Sequence, residues 1–139
     1  MRQAMVSEYV LRIPIDRHVI NTRRPFTAVV QALRQQLGRS ARDQLVCVAE
    51  LALDTCLLRL TVDLPSAGAE LVRFLPDAGA SCPVTIMVQR LADGGGTRLV
   101  FDSVASAVSA YQDEDTLPVA RRVDVAVLTL LRRVAAVAS

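Results

Sequence analysis

The chain has 139 residues, of which 52% are hydrophobic and 22% are charged, and it contains no tryptophan. This length and composition predict one globular domain spanning residues 1–139 and exclude a disordered chain. All 16 basic residues are arginine, against 14 acidic residues, so the net charge is only +2. Because nucleic-acid binding needs clustered positive charge, this scattered and balanced charge argues against a nucleic-acid partner.

The cysteine and histidine content argues against a bound metal or cofactor. Cys47, Cys56 and Cys82 have no metal-ligand spacing, and their odd number favours reduced thiols in a cytoplasmic protein. We expect Cys47 and Cys56 to be inert core thiols and Cys82, in a loop, to be the most exposed. His18 is the single histidine, so no two-histidine metal site can form. No apolar run suggests a signal peptide or a membrane span, so we expect no membrane association.

The first 38 residues predict a strand followed by a helix. Residues 9–21 begin with apolar side chains at alternate positions, the period of a strand. Pro14 lacks a backbone donor and therefore places this strand at a sheet edge or interrupts it. From Pro25 the apolar residues recur at the helical period until Gly38, which predicts an amphipathic helix.

A hairpin of two strands is predicted next. Residues 45–53 are apolar on both faces except at Glu50, which is typical of a strand covered on both sides. Asp54 and Thr55 then turn the chain into an antiparallel strand over residues 56–63. Alternation in that strand places Arg59 on the face away from the core, where we expect Glu50 to be its neighbour.

Prolines and glycines divide the middle of the chain. A short helix, with Ser66 as its N-cap, is predicted between strands at residues 56–63 and 84–89. Asp93 and the three glycines that follow it tolerate positive φ and predict a tight hairpin to a strand at residues 97–102. The prolines and glycines follow the order Pro-x-x-Gly, short helix, Pro-x-x-Gly, Pro, carried by Pro65, Gly68, Pro76, Gly79 and Pro83.

This order resembles the small bacterial domain-of-unknown-function family 302. The segment at residues 17–26 resembles that family's entry into its first helix, and the Asp93 and Gly94 hairpin resembles its central one. The resemblance covers nearly the whole chain and implies no activity, since none is established for the family. Many relatives carry an Asp-His pair at the end of the second strand. This chain has Ala52 and Leu53 there, so any chemistry of that pair is lost.

Two helices are predicted after residue 102, a short one at 103–111 and a long one at 117–138. The long helix is apolar over a wider arc than one sheet face can cover, and we therefore expect a homodimer that buries the remainder. The predicted fold is α+β, an antiparallel sheet of four to five strands with an N-terminal helix, a short middle helix and a long C-terminal helix packed on one face. Its predicted core contains Phe26, Leu33, Leu60, Val62, Ile86, Val88, Val127 and Leu130.

A candidate site is predicted on the sheet face without helices. Glu50 and Arg59 are the candidate catalytic residues, with Glu50 as a general base and Arg59 binding a carboxylate or an enolate. The candidate ligand-binding residues are Thr61, Thr85, Met87 and Gln89. The same face could instead be a solvated surface or half of a dimer interface.

Two functions stay open at this point. The first is a small cytosolic homodimer, without a cofactor, that binds a small, largely apolar molecule or a partner protein. The alternative is a cofactor-independent cyclase or isomerase that works by proton transfer in bacterial secondary metabolism.

Overall fold

The computed structural model describes residues 6–37 and 44–136, which form an antiparallel sheet covered on one face by helices. The strands are β1 Arg17–Thr22, β2 Val46–Asp54, β3 Leu57–Asp63, β4 Val84–Arg90 and β5 Thr97–Asp102. The helices are α1 Phe26–Leu37, α2 Pro65–Phe74, α3 Val104–Ser109 and α4 Leu117–Ala135, with 3-10 turns at Pro76–Ala80 and Ala92–Gly94. The strand order is β1-β5-β4-β3-β2, so β1 and β2 are the edges.

One apolar cluster lies between the sheet and the helices. Every second residue of β3, β4 and β5 faces it, and α1 and α4 cover it from the other side. The buried residues of these three strands that form the cluster are Leu58, Leu60, Val62, Val84, Ile86, Val88, Leu99 and Phe101. The predicted α+β fold is confirmed, and the predicted core residues all belong to this cluster except Phe26, which is partly buried and packs against it.

The N-terminal strand is shorter than predicted. Residues 6–16 have no regular secondary structure, and β1 begins only at Arg17, beyond Pro14. The chain before β1 is held at the start of α3, where Ser103 N donates to Asp16 O at 2.8 Å and Asp16 N donates to Ser106 Oγ at 2.9 Å. Leu11, which was predicted to belong to the strand, is exposed.

Helix α4 buries most of its wide apolar arc within the chain. It contacts β1, α1, α2 and α3, and Leu130, Leu131 and Val134 are buried by these neighbours. Val125 is the large apolar residue of α4 that stays exposed. Neighbouring elements of the same chain thus cover most of the arc for which a second copy was expected, and the homodimer stays a prediction. No helix in the described part of the chain combines the length and the apolarity needed to cross a bilayer.

A buried carboxylate of α4 holds the start of α3. Asp124 is only 7% exposed; its Oδ2 accepts from Ser103 Oγ at 2.6 Å and from Ala105 N at 3.1 Å, and its Oδ1 accepts from Val104 N at 2.8 Å. These bonds satisfy first-turn backbone donors that the helix itself cannot pair. Ser103 Oγ accepts from Ser106 N at 3.1 Å and completes the N-cap.

The packing of helix α2 shows why the Pro-x-x-Gly pattern has a glycine at position 68. The helix begins at Pro65 with Leu64 as its N-cap, so the prediction of Ser66 as the N-cap was wrong. A Cβ on Gly68 would lie 2.3 Å from Asp63 Oδ1 and 3.4 Å from Cys82 Sγ. The absent side chain therefore makes room for a carboxylate and a thiol packed against the helix.

Candidate functional site

The face of the sheet opposite the helices, called here the open face, carries five of the six predicted site residues. Arg59 and Thr61 of β3 alternate with buried residues, and so do Thr85, Met87 and Gln89 of β4. The strand register pairs Arg59 with Met87 and Thr61 with Thr85. These side chains therefore share one face, and their roles in binding stay a prediction.

Glu50 lies on the helix face, so the predicted Glu50 and Arg59 neighbour pair was wrong. The register places Glu50 opposite the buried Leu60 and Leu51 opposite Arg59. A β-bulge is the cause, because Val48 is an extra residue between Cys47 and Ala49 and reverses the side-chain alternation for the residues after it.

Glu50 pairs instead with helix α1. Arg34 Nε donates to Glu50 Oε1 at 3.0 Å, and Arg34 Nη2 donates to the same oxygen. The two side chains are 60% and 30% exposed, so the pair is expected to stabilise the fold by roughly 0–1 kcal/mol. Arg59 remains exposed on the other face and forms no ion pair with the described residues.

A groove of about 560 Å³ crosses the open face over β4 and β5. Its lining includes Thr85, Met87 and Gln89, three of the four predicted ligand-binding residues, whereas Thr61 lies outside it. The groove also has apolar walls from the segment before β1, the start of β3 and the loop before β4. Its lining also includes Ile15, Arg17, Leu57, Pro83, Arg98, Val100 and Asp102.

The charged residues of the groove are Arg17 and Asp102, which form an ion pair, and Arg98, which forms none within the described part of the chain. Arg17 Nε donates to Asp102 Oδ1 at 2.7 Å, and Arg17 Nη2 donates to Asp102 Oδ2 at 3.1 Å. The hydrogen bond from Arg17 lowers the pKa of Asp102, so this carboxylate is ionised at neutral pH. Arg98, which is in register with Gln89, has no ion-pair partner among the described residues. Its guanidinium is therefore available to an anion. Sequence analysis missed Arg98 because alternation alone does not show which open-face residues line a concavity.

The burial of the three cysteines is opposite to the prediction. Cys47 is exposed, Cys56 is half-buried and Cys82 is buried. Burial, together with the carboxylate of Asp63 at 3.8 Å from the sulfur, raises the pKa of Cys82 to about 11. Cys82 is thus a poor nucleophile. Cys47 is exposed because β2 is an edge strand and not a covered one.

We expect Cys47 to react with iodoacetamide first and Cys82 last. At pH 8 a thiol of pKa about 11 is ionised in about one molecule in a thousand, and burial further limits access to Cys82. Peptide mass spectrometry over a time course measures the order. Protein unfolded in urea is the control, because all three rates should converge there. Early alkylation of Cys82 in folded protein would contradict its placement.

No metal-binding cluster is present in residues 6–37 and 44–136, where no three His, Cys, Asp or Glu side chains are close enough to hold an ion. The groove is lined by the Arg17–Asp102 ion pair, the guanidinium of Arg98, several hydroxyl or amide groups and an apolar wall.

Comparisons with known proteins identify the fold. No family model and no curated protein match this chain. Among solved structures it is similar to the uncharacterized conserved protein DUF302 from Bacillus stearothermophilus, with a TM-score of 0.69 and 14% sequence identity. The match covers 84% of this chain and 96% of that chain. The chain therefore has the fold of a DUF302 protein, as its Pro-x-x-Gly pattern and central hairpin predicted.

Proposed function

We propose that the protein binds a small, largely apolar molecule with an anionic group in the groove of the open face. The observation that carries the proposal is the unpaired guanidinium of Arg98 in an apolar-walled concavity. A volume of about 560 Å³ lies in the range of roughly 300–1,000 Å³ typical of small-molecule sites. Such sites combine apolar walls with a few polar groups that orient the ligand.

Each lining residue has a role in this proposal. Arg98 binds a carboxylate or sulfonate through two parallel hydrogen bonds, the geometry that a guanidinium favours. Gln89, its register partner, donates to the same group. Met87 and Val100 contact the apolar body of the ligand, and the flexible thioether adapts to its shape. Thr85 supplies a hydroxyl at the other end of the groove, with Thr61 beside it.

The enzyme alternative required a pair of neighbouring catalytic residues, and the two candidates are not neighbours. Proton transfer was predicted to use Glu50 beside Arg59, and these side chains project from opposite faces. Asp102 is the carboxylate that lines the groove in the described part of the chain, and its hydrogen bond with Arg17 lowers its pKa and weakens it as a base. We therefore favour binding over catalysis, and a small molecule over a partner protein because the surface is concave.

The proposal includes a cytoplasmic location and a homodimer. Three free thiols, of which Cys47 is exposed, suit a reducing compartment. A dimer that leaves β4 and β5 uncovered is compatible with ligand entry to the groove.

Titration with 8-anilinonaphthalene-1-sulfonate, an apolar anion, tests the proposal. We expect a fluorescence increase that saturates at one probe per chain, and displacement by aromatic or medium-chain carboxylates but not by the corresponding amides. Arg98→Gln removes the cation, and hydrogen bonds to a charged group contribute about 1.5–3 kcal/mol. The variant should therefore weaken probe binding by about tenfold or more.

Arg122→Gln is the matched control. Arg122 lines a separate apolar depression formed by residues of α2 and α4, so an equal loss of charge there should leave probe affinity unchanged. Probe binding that depends on Arg122 and not on Arg98 would place the site at that depression. Equal affinity in both variants and the parent would show that the groove does not bind the anion, and either result would contradict the proposal.

A further inference from the structure

We propose that two copies of this chain pair along the outer edge of β2 and join their sheets into one continuous antiparallel sheet. The two edge strands, β1 and β2, differ in the polarity and the exposure of their side chains. On β1, the exposed side chains are Arg17, Val19 and Asn21, so two of the three are polar. On β2, every residue after Val46 is exposed.

The exposed side chains of β2 are unusually apolar for an edge strand. Val48 is 56% exposed, Leu51 is 48% exposed and Leu53 is 46% exposed. Edge strands are commonly protected from pairing by β-bulges or by lysine, proline or an inward-pointing charge, and in β2 the bulges at Val48 and Leu53 leave the residues between them regular. Between residues 46 and 53, Glu50 is the one side chain of that kind.

Arg34 removes this protection. The Glu50 carboxylate points toward the helix face and accepts two hydrogen bonds from the Arg34 guanidinium of its own chain. A second strand can therefore approach β2 without meeting an unpaired charge. The exposed apolar side chains would lose water contact on pairing, which favours association.

The strand register favours one alignment of the two copies. Between the bulges at Val48 and Leu53, residues 49–52 pair regularly with β3. A two-fold axis perpendicular to the sheet places residues of the same face opposite each other. With the axis at Leu51, two leucines meet on the open face and Glu50 lies opposite Ala52 of the partner subunit. With the axis at Glu50, two carboxylates would oppose each other, so we infer the alignment centred on Leu51.

The interface is small and separate from the groove. A pair of single strands buries less than the roughly 1,600 Å² of a standard interface, so we expect a weak dimer whose population depends on protein concentration. The groove lies over β4 and β5, and β3 separates those strands from β2. Loss of the dimer would thus leave anion binding intact, and the Arg98→Gln change would leave the dimer intact.

Sedimentation velocity at about 1–200 micromolar protein tests the proposal. We expect a 15.1 kDa species at low concentration and a dimer at high concentration. Leu51→Lys places two lysines opposite each other and should weaken association at least about tenfold. Val19→Lys makes the same change at an exposed apolar position of the other edge and should leave association unchanged.

A disulfide experiment tests the alignment without a charged substitution. In a Cys47→Ser and Cys56→Ser background, Leu51→Cys should form an intermolecular disulfide on oxidation. Opposed residues in antiparallel strands have Cα separations of about 4.5–5.5 Å, within disulfide range. Val19→Cys should not cross-link. A 15.1 kDa species at all concentrations, or a dimer that Val19→Lys disrupts and Leu51→Lys does not, would overturn the proposal.

Discussion

Replacement of Asp124 by alanine is expected to lower the free energy of unfolding by about 3 kcal/mol. The substitution removes the acceptor for the Ser103 hydroxyl and for the backbone donors of Val104 and Ala105, all at a buried helix start. A buried donor left without a partner costs about 1–3 kcal/mol, and hydrogen bonds to a charged group are stronger than neutral ones. Urea unfolding followed by circular dichroism measures the loss.

A graded series identifies the hydrogen bonds as the cause. Asp124→Asn keeps one acceptor oxygen and should cost about half as much as Asp124→Ala, and Ser103→Ala removes one of the three donors to Asp124 and should cost about 1 kcal/mol. Asp115→Asn is the control at an exposed carboxylate and should stay within about 0.5 kcal/mol of the parent. A loss below 1 kcal/mol for Asp124→Ala would mean that water replaces the carboxylate and that the start of α3 is not sealed from solvent.

The order of elements could be predicted because local periodicity carries it. In β3 and β4, valine, isoleucine or leucine occupies every second position, which predicts Leu60 and Ile86 in the core and Arg59 and Met87 on the open face. The same regularity brought the predicted residues of these two strands to one face. Proline and glycine spacing located α2 and the hairpin before β5.

Features that depend on distant parts of the chain could not be predicted in this way. The apolar pattern of β2 is compatible with a covered strand and with an exposed edge, and the strand order decides between them. A bulge needs no particular residue, so Val48 gave no indication that Glu50 would change face. Asp124 lies beside buried valines of α4, but its partners are on α3, about twenty residues earlier in the chain.

The backbone near Gly96 depends on contacts that a side chain would prevent. Gly96 has φ of +97°, and a Cβ there would lie 2.0 Å from the carbonyl oxygen of Thr22 and 2.8 Å from Cα of Arg23. The adjacent Thr97 Oγ1 donates to Arg24 O at 2.8 Å. The hairpin between β4 and β5 is therefore held against the turn that leads from β1 into α1, and neither backbone can move without breaking this contact.

Gly96→Ala is accordingly expected to lower the free energy of unfolding by at least about 3 kcal/mol, which combines backbone strain with a backbone clash. Two other glycines separate these causes. Gly94 has φ of +69° and open space around it, so Gly94→Ala should cost only the conformational penalty of about 1 kcal/mol. Gly79 has no atom within 4 Å of an added Cβ and no positive φ, so Gly79→Ala should be neutral or stabilising by up to about 1 kcal/mol. If urea unfolding gave Gly96→Ala the same loss as Gly94→Ala, the hairpin and the β1–α1 turn would have to separate at little cost, and their close packing would not stabilise the sheet.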